Sequence, residues 1–314
     1  MSAIMVRLAT LDDCAAITAI HTSHVATWER LDSTGALVPA AYADLSLVER
    51  WQHGGPWLSI ETCAVHLNRL LAGSGIPLVA DLDGEVLGEA EVYEGFEPPP
   101  FGHNLNLSVL VVHAEQQRHG IANALIAYIV EMARLMKCER IAVSHAEARE
   151  FYLKHGFRVA QTGREISIPT QLGHAIYQIS ELTDRSADQI KNWHMPLGHV
   201  QSARQEWEKL FPQTWAAGLP DLLNIPSAHL KLTVAGQNAI LFFQEAVDRE
   251  PGSVNLSCWS AHPLSNPLLT ALRDKANRDG YPTILSYVMD SDRSLLPPDV
   301  FQSDAVHEHL ELAL

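Results

Sequence analysis

The chain has 314 residues, 47% of them apolar and 19% charged, with a formal net charge of −15. This is ordinary globular usage and excludes a wholly disordered chain, while the length predicts two domains of the usual ~100–200 residues. An acidic surface repels phosphate backbones, so nucleic acid is not expected as a partner. The four cysteines, Cys14, Cys63, Cys138 and Cys258, are far apart and show no metal-type spacing, which predicts a reducing, cytoplasmic setting and no metal. The opening MSAIMVRLATLDD lacks the basic start and apolar core of a signal peptide. No run of ~18 apolar residues is present, so no membrane span is expected.

In chain order, residues 5–10 (MVRLAT) read as a short strand. Thr10 with Asp12 and Asp13 then starts a helix expected to run to about Trp28. A connecting region follows, with Trp51 and Trp57 around Gly54-Gly55-Pro56. Residues 77–95 read as a hairpin turning at Asp83-Gly84, a pair that supplies the positive φ angles such turns need. Residues 104–112 (NLNLSVLVV) change from alternating to continuously apolar, as a strand entering the middle of a sheet does. Ile121, Leu125, Ile129, Met132 and Met136 lie 4, 4, 3 and 4 residues apart and mark an amphipathic helix. A strand at Arg140–Ser144, a helix at Glu147–Lys154 ending at Gly156, and a β pair at Phe157–Gln161 and Arg164–Pro169 complete the first half.

The second half repeats this order. Leu230–Val234 and Asn238–Val247 flank the turn Ala235-Gly236-Gln237; Val254–Trp259 and Thr283–Val288 read as strands around a helix marked by Leu264, Leu268, Leu272 and Ala276. Ala187 to Phe211 reads as two helical stretches separated by Met195-Pro196, and His307–Leu314 as a final strand whose His307 and His309 are expected on a solvated face. The pattern implies duplication with an offset of roughly 150 residues and a boundary near Pro169–Gly173.

Val109 to Leu125 carries the chemistry: VLVVHAEQQRHGIANAL is a strand, a loop and a helix start. Gln117-Arg118-His119-Gly120-Ile121-Ala122 has the form Gln-x-x-Gly-x-Ala. Small residues let a ligand approach the backbone, and the free N–H groups of a first helical turn favour an anion such as pyrophosphate. The alternative reading is a plain strand-to-helix turn. Residues 117–164 hold eight Lys and Arg against four Asp and Glu, a basic segment inside an acidic chain.

This stretch resembles the acetyl-CoA motif of the GNAT superfamily of N-acetyltransferases, Gln/Arg-x-x-Gly-x-Gly/Ala after a central strand. A second family motif matches at Ala148 to Phe157, where a helix carrying Tyr152 ends in Gly-Phe, and MVRLATLDDCAAI is similar to the family's first strand and helix. The resemblance covers residues 4–169. It implies an α/β (α+β) fold of two tandem domains, 1–170 and 171–314, each a mixed, mostly antiparallel sheet flanked by helices. The second domain is expected to be a degenerate repeat. It lacks Gln-x-x-Gly-x-Ala, and Pro263 and Pro267 remove backbone donors from the equivalent loop.

The resemblance also implies roles. The backbone of Leu110, Val111 and Val112 would pair with the pantetheine arm, and the amides of Gln117, Arg118, His119, Gly120, Ile121 and Ala122 would hold the pyrophosphate. His145 stands where the family often has Asn. Tyr152 would protonate the departing CoA thiolate; the alternative is a core tyrosine. At the family's base position stands Asn106, which accepts no proton but orders a water. Glu91, Glu94 and His103 are substitutes, each otherwise a solvated strand or loop residue. The expected activity is transfer of acetyl from acetyl-CoA to an amine, on a small molecule or a peptide, by a monomer (a pseudo-dimer of its two halves) or a homodimer. A non-catalytic acyl-CoA binder and an O-acyltransferase are the alternatives.

Overall fold

The structure is a computed structural model and describes residues 4–209, 227–246 and 252–314. The ends of two expected elements, at Phe211 and Val247, lie outside the described residues. Among these residues the chain forms two compact units, one of residues 4–93 and 107–136, the other of the remainder. The sequence repeat is placed at residue 170, whereas the unit divisions fall within two strands at 93/94 and 106/107.

The first unit begins with β1 (Met5–Leu8) and α1 (Cys14–Thr22). A small hairpin of β2 (Glu29–Leu31) and β3 (Leu37–Pro39) precedes α2 (Leu47–Gln52) and α3 (Ile60–Arg69). Helix α1 thus stops six residues short of Trp28. A buried cluster of Ala9, Cys14, Ile17, Cys63, Leu67 and Val79 joins α1 and α3 to the sheet. β4 (Ile76–Leu82) pairs antiparallel with β1 on one side and with β5 (Glu85–Phe96) on the other. The β4–β5 turn has Asp83 and Gly84 at φ 58° and 88°, the conformation expected of Asp-Gly. β6 (His103–Val112) follows, and α4 (Ile121–Leu135) packs Ile121 and Leu125 over Gly88. A Cβ at Gly88 would stand 2.6 Å from Ile121, so glycine permits this close helix–strand approach.

The second unit takes the end of β5 and the start of β6. Asn104–Asn106 pair parallel with β7 (Arg140–Ser144). After α5 (Arg149–Lys154) comes β8 (Arg158–Pro169), one continuous strand where two had been expected. Gly163, between the two expected strands, is extended; it is needed because the Tyr287 ring lies where a side chain would be, at 2.6 Å from a Cβ. β9 (Tyr177–Glu181) and β10 (His194–Leu197) follow, so Met195-Pro196 sits on a strand rather than between helices. Next come α6 (Ala203–Lys209), the hairpin β11 (Ser227–Val234) and β12 (Gln237–Glu245), β13 (Val254–Ser260), α7 (Asn266–Arg278) and β14 (Thr283–Met289). β15 (Phe301–Gln302) pairs with β8.

The last strand, β16 (His307–Ala313), lies between β7 and β8 and pairs antiparallel with both. From there the sheet continues β8, β14, β13, β12, β11, β9, antiparallel except for β14 with β13. That parallel ladder covers Val254 and Asn255 alone; farther along, β10 pairs with β13 at Cys258 and Ser260. The result is a mixed α/β chain with a mostly antiparallel sheet flanked by helices. Among the described residues no helix is long and apolar enough to cross a membrane.

Candidate active site

In the first unit, β6 delivers the chain to the Gln-x-x-Gly-x-Ala loop. The parallel ladder on β6 ends at Asn106, and Val109, Leu110 and Val111 are half-buried beyond it. His24 Nε2 donates to the Val112 carbonyl at 2.8 Å, and the Ala114 amide donates to Ser23 Oγ at 2.9 Å, so α1 fixes the strand's exit.

In the loop, Gln117, Arg118 and His119 are exposed, Gly120 and Ala122 half-buried, and Ile121 buried. Arg118 and Gly120 both take left-handed backbone, at φ 66° and 88°. Gly120 is the N-cap of α4 and has no side chain to cap it. A Cβ at Gly120 would meet nothing closer than Ile4 at 3.8 Å, so glycine is required by φ and not by crowding. The first amides of a 15-residue helix therefore start from a glycine with no capping oxygen. Alternating backbone of this kind makes a concavity of N–H groups suited to an anion.

β5 is buried on both faces, and this overturns the expectation that Glu91 is solvated. Glu91 is 1% exposed; it accepts hydrogen bonds from His66 Nε2 at 2.8 Å and Trp57 Nε1 at 2.7 Å. Burial alone would raise its pKa, but the His66 charge and these bonds hold it below the usual carboxylate range. Burial opposes the His66 charge too, yet Glu91 raises that group. Two residues earlier, Glu89 is equally buried and bonded to His21, whose ring stacks on Trp57 at 4.9 Å. Burial pushes the Glu89 carboxyl up, against the pull of His21. Sequence reading missed Glu89 and His21. The signal was available, since Glu89 and Glu91 share one face of a strand with Leu87 and Tyr93.

In the second unit, Tyr152 on α5 is 7% exposed and lies edge-on to Phe151 and Phe157. Burial, then the Glu147 charge, pushes its hydroxyl up to about 12. Gly156 ends this segment at φ 86°. Asn106 is fully buried; its amide nitrogen donates to the Ala142 carbonyl at 3.5 Å, and its Oδ1 accepts no hydrogen bond among the described residues. Glu94 and His103 are bonded to each other at 2.8 Å. His145, left-handed at φ 54°, packs against His307 with ring centres 4.3 Å apart and planes tilted by 40°, and burial, then His307, lowers its pKa.

His309 is not solvated: it is 3% exposed, 2.6 Å from Ser144 Oγ through Nδ1 and 3.1 Å from the Tyr287 hydroxyl through Nε2. Burial, then neighbouring histidines, lowers it to about 2, so its ring is neutral and bridges the two hydroxyls.

Residues 36–157, which contain the loop and Tyr152, match the model of the acetyltransferase (GNAT) family. Among solved structures, the chain is similar to a GCN5-related N-acetyltransferase from Anabaena variabilis, with TM-score 0.63, 11% identity, and 98% of this chain and 72% of that one covered. A GCN5-related N-acetyltransferase from Kribbella flavida gives TM-score 0.61 at 12% identity, over 100% and 71% of the two chains. A probable N-acyltransferase from Enterococcus faecalis gives 0.57 at 9%, over 100% and 73%. At these identities the likeness is one of fold. No curated protein matches the chain in sequence.

Proposed function

Because residues 36–157 match the acetyltransferase (GNAT) family model, we propose that this chain is an acyltransferase that moves an acetyl group from acetyl-CoA directly to an amine held beside it. The observation that carries this reading is the uncapped, glycine-started helix α4 behind Gln117–Ala122 in the family-matched segment. The loop amides hold the pyrophosphate of the co-substrate, and the backbone of Leu110 to Val112 binds its pantetheine arm as an added strand. Aminolysis of a thioester needs a neutral amine aimed at the carbonyl, and binding both substrates together supplies much of the rate. Tyr152 donates its proton to the departing thiolate. Its raised pKa supports this role, since the hydroxyl stays protonated throughout the neutral range.

Of the carboxylates in the first unit, Glu89 is the one suited to take the amine's proton, since burial raises it, whereas Glu91 is held low by His66. Asn106 offers a buried, unpartnered oxygen that can order a water. The second half works without a co-substrate of its own. This is supported by β10, which occupies the edge of β13 beyond its short ladder with β14. The acceptor is a small-molecule or peptide amine. All four cysteines are free and buried, which supports a cytoplasmic setting.

Calorimetric titration with acetyl-CoA, beside thiol release over a panel of amines, tests the reading. Binding with turnover to an amide product is the expected result. Binding without turnover on any amine marks a non-catalytic acyl-CoA binder, the alternative that Asn106 favours. An ester product marks an O-acyltransferase, and absence of binding overturns all three.

A further inference from the structure

The ends of three neighbouring strand segments in the second unit bring together a set of donors that the acyl-transfer reading does not use. Glu94 lies near the end of β5, His103 opens β6, and Cys138 precedes β7. One carboxylate oxygen, one ring nitrogen and the sulfur lie within 4.8 Å of one another. His103 Nε2 is 2.8 Å from Glu94 Oε1 and 3.6 Å from Cys138 Sγ.

The tautomer of His103 makes this cluster chemically specific. Its Nδ1 is 3.0 Å from the Lys137 carbonyl, which only accepts, so Nδ1 carries a proton. Phe96 stacks on the ring at 4.3 Å and holds its plane. Nε2 faces the Glu94 carboxylate and the Cys138 sulfur, so a metal ion that displaces its proton meets a lone pair already aimed at the other two donors. With that proton and the Cys138 thiol proton displaced to water, three electron-pair donors within 4.8 Å of one another suit a cation between them. A ligating imidazole typically donates its other N–H to a backbone carbonyl in this way.

We propose that Glu94, His103 and Cys138 bind a divalent, thiophilic metal ion, of which zinc is the ordinary case, with a water in the fourth position. Zinc sits about 2.3 Å from sulfur and about 2.0–2.1 Å from nitrogen, so a tetrahedral ion holds those two atoms about 3.5 Å apart. The carboxylate has to withdraw by roughly 0.5 Å to make room for metal–oxygen bonds of about 2.0 Å. Its side chain is 37% exposed and free to do so. A cleft of about 410 Å³ bordered by His103 and Gly102 lies beside the cluster. Binding replaces the S–H bond of Cys138 with a sulfur–metal bond and releases that proton to water. The ion ties the end of β5 to the starts of β6 and β7. Sequence spacing conceals the site, because its donors stand at positions 94, 103 and 138 and meet only through strand pairing.

The test is titration of the full chain with cobalt(II), followed by displacement with zinc. Sixteen histidines offer incidental sites, so the diagnostic signal is the thiolate-to-cobalt charge-transfer absorption. It is expected to saturate at one equivalent and to vanish in Cys138→Ser. Zinc affinity should fall in that variant by at least about 100-fold, beyond the 10–100-fold of outer-shell changes. Should Cys138→Ser not fold, Glu94→Gln on its half-exposed side chain decides, with an expected loss of tenfold or more. Absence of the charge-transfer band at excess cobalt leaves an ordinary His103–Glu94 ion pair and overturns the proposal. So does zinc affinity unchanged in Glu94→Gln.

Discussion

Replacing Tyr152 by Phe removes one oxygen and leaves the ring. The ring packs edge-on against Phe151 and Phe157, 5.3 and 5.4 Å away, and keeps both contacts, so the fold should be retained. The hydroxyl's pKa is raised by burial to about 12. Below its ordinary value of 10 the group is therefore fully protonated in folded and unfolded chain alike, and its contribution to stability is lost only as pH rises toward 12. Throughout an assay from pH 6 to 9 the variant thus differs from the parent by a proton donor and not by a charge. General-acid assistance is worth about 10²–10⁴-fold, or roughly 3–5 kcal/mol of barrier. Turnover should fall by that factor, with the calorimetric Kd for acetyl-CoA within about twofold, since the loop amides are untouched. Turnover within twofold of the parent would remove Tyr152 from the chemistry. An equal loss in affinity would make it a packing residue for the co-substrate.

Gly120→Ala places a Cβ in open space at φ 88°, so its cost is conformational, about 1–2 kcal/mol, read as a lowered Tm. If the loop must keep that backbone to bind pyrophosphate, acetyl-CoA affinity falls about tenfold; a lowered Tm with unchanged affinity would take the loop out of the site. Glu91→Gln leaves the His66 charge buried without its partner and should destabilise the fold by about 3–5 kcal/mol in chemical denaturation. In the parent, the Glu91 contribution is present above the ordinary 4.5 and lost as pH falls through its lowered value, while that of His66 is present below 6.5 and lost as pH rises through its raised one. The variant should therefore show a flatter acid limb; an unchanged limb would mean the pair is not ionised. A chain cut after residue 170 lacks β14, β15 and β16, leaves β8 unpaired and β7 paired with β6 alone, and strips Arg140 and Arg158 of Glu311. It should be insoluble or unfolded by circular dichroism, and a cooperatively folded product would refute the pairing.

That last case shows where sequence reading stops. Elements set by local chemistry were legible: the Asp83-Gly84 turn, the Ala235-Gly236 turn, the helix spaced from Ile121, and the Gln117–Ala122 loop all lie where residue type and spacing put them. Elements set by distant partners were not. The two strands expected at Phe157–Gln161 and Arg164–Pro169 are one, and Gly163 between them is explained only by Tyr287, 124 positions later, which fills its side-chain space. His307 and His309 alternate like any edge strand, yet β16 enters between strands some 150 residues earlier, which turns a surface pattern into a buried Ser144–His309–Tyr287 chain. Alternation assumes one wet face. Where both faces are covered, as on β5, a glutamate marks a partner waiting on a helix: His21 on α1 for Glu89 and His66 on α3 for Glu91. The same reasoning separates the two carboxylates chemically. Glu91 answers to a charged His66 and a Trp57 donor and is held as an anion, whereas burial dominates at Glu89 and raises it. On the proposed acyl transfer, a carboxylate raised by burial takes a proton more readily than one held low, so Glu89 is the base candidate to test before Glu91.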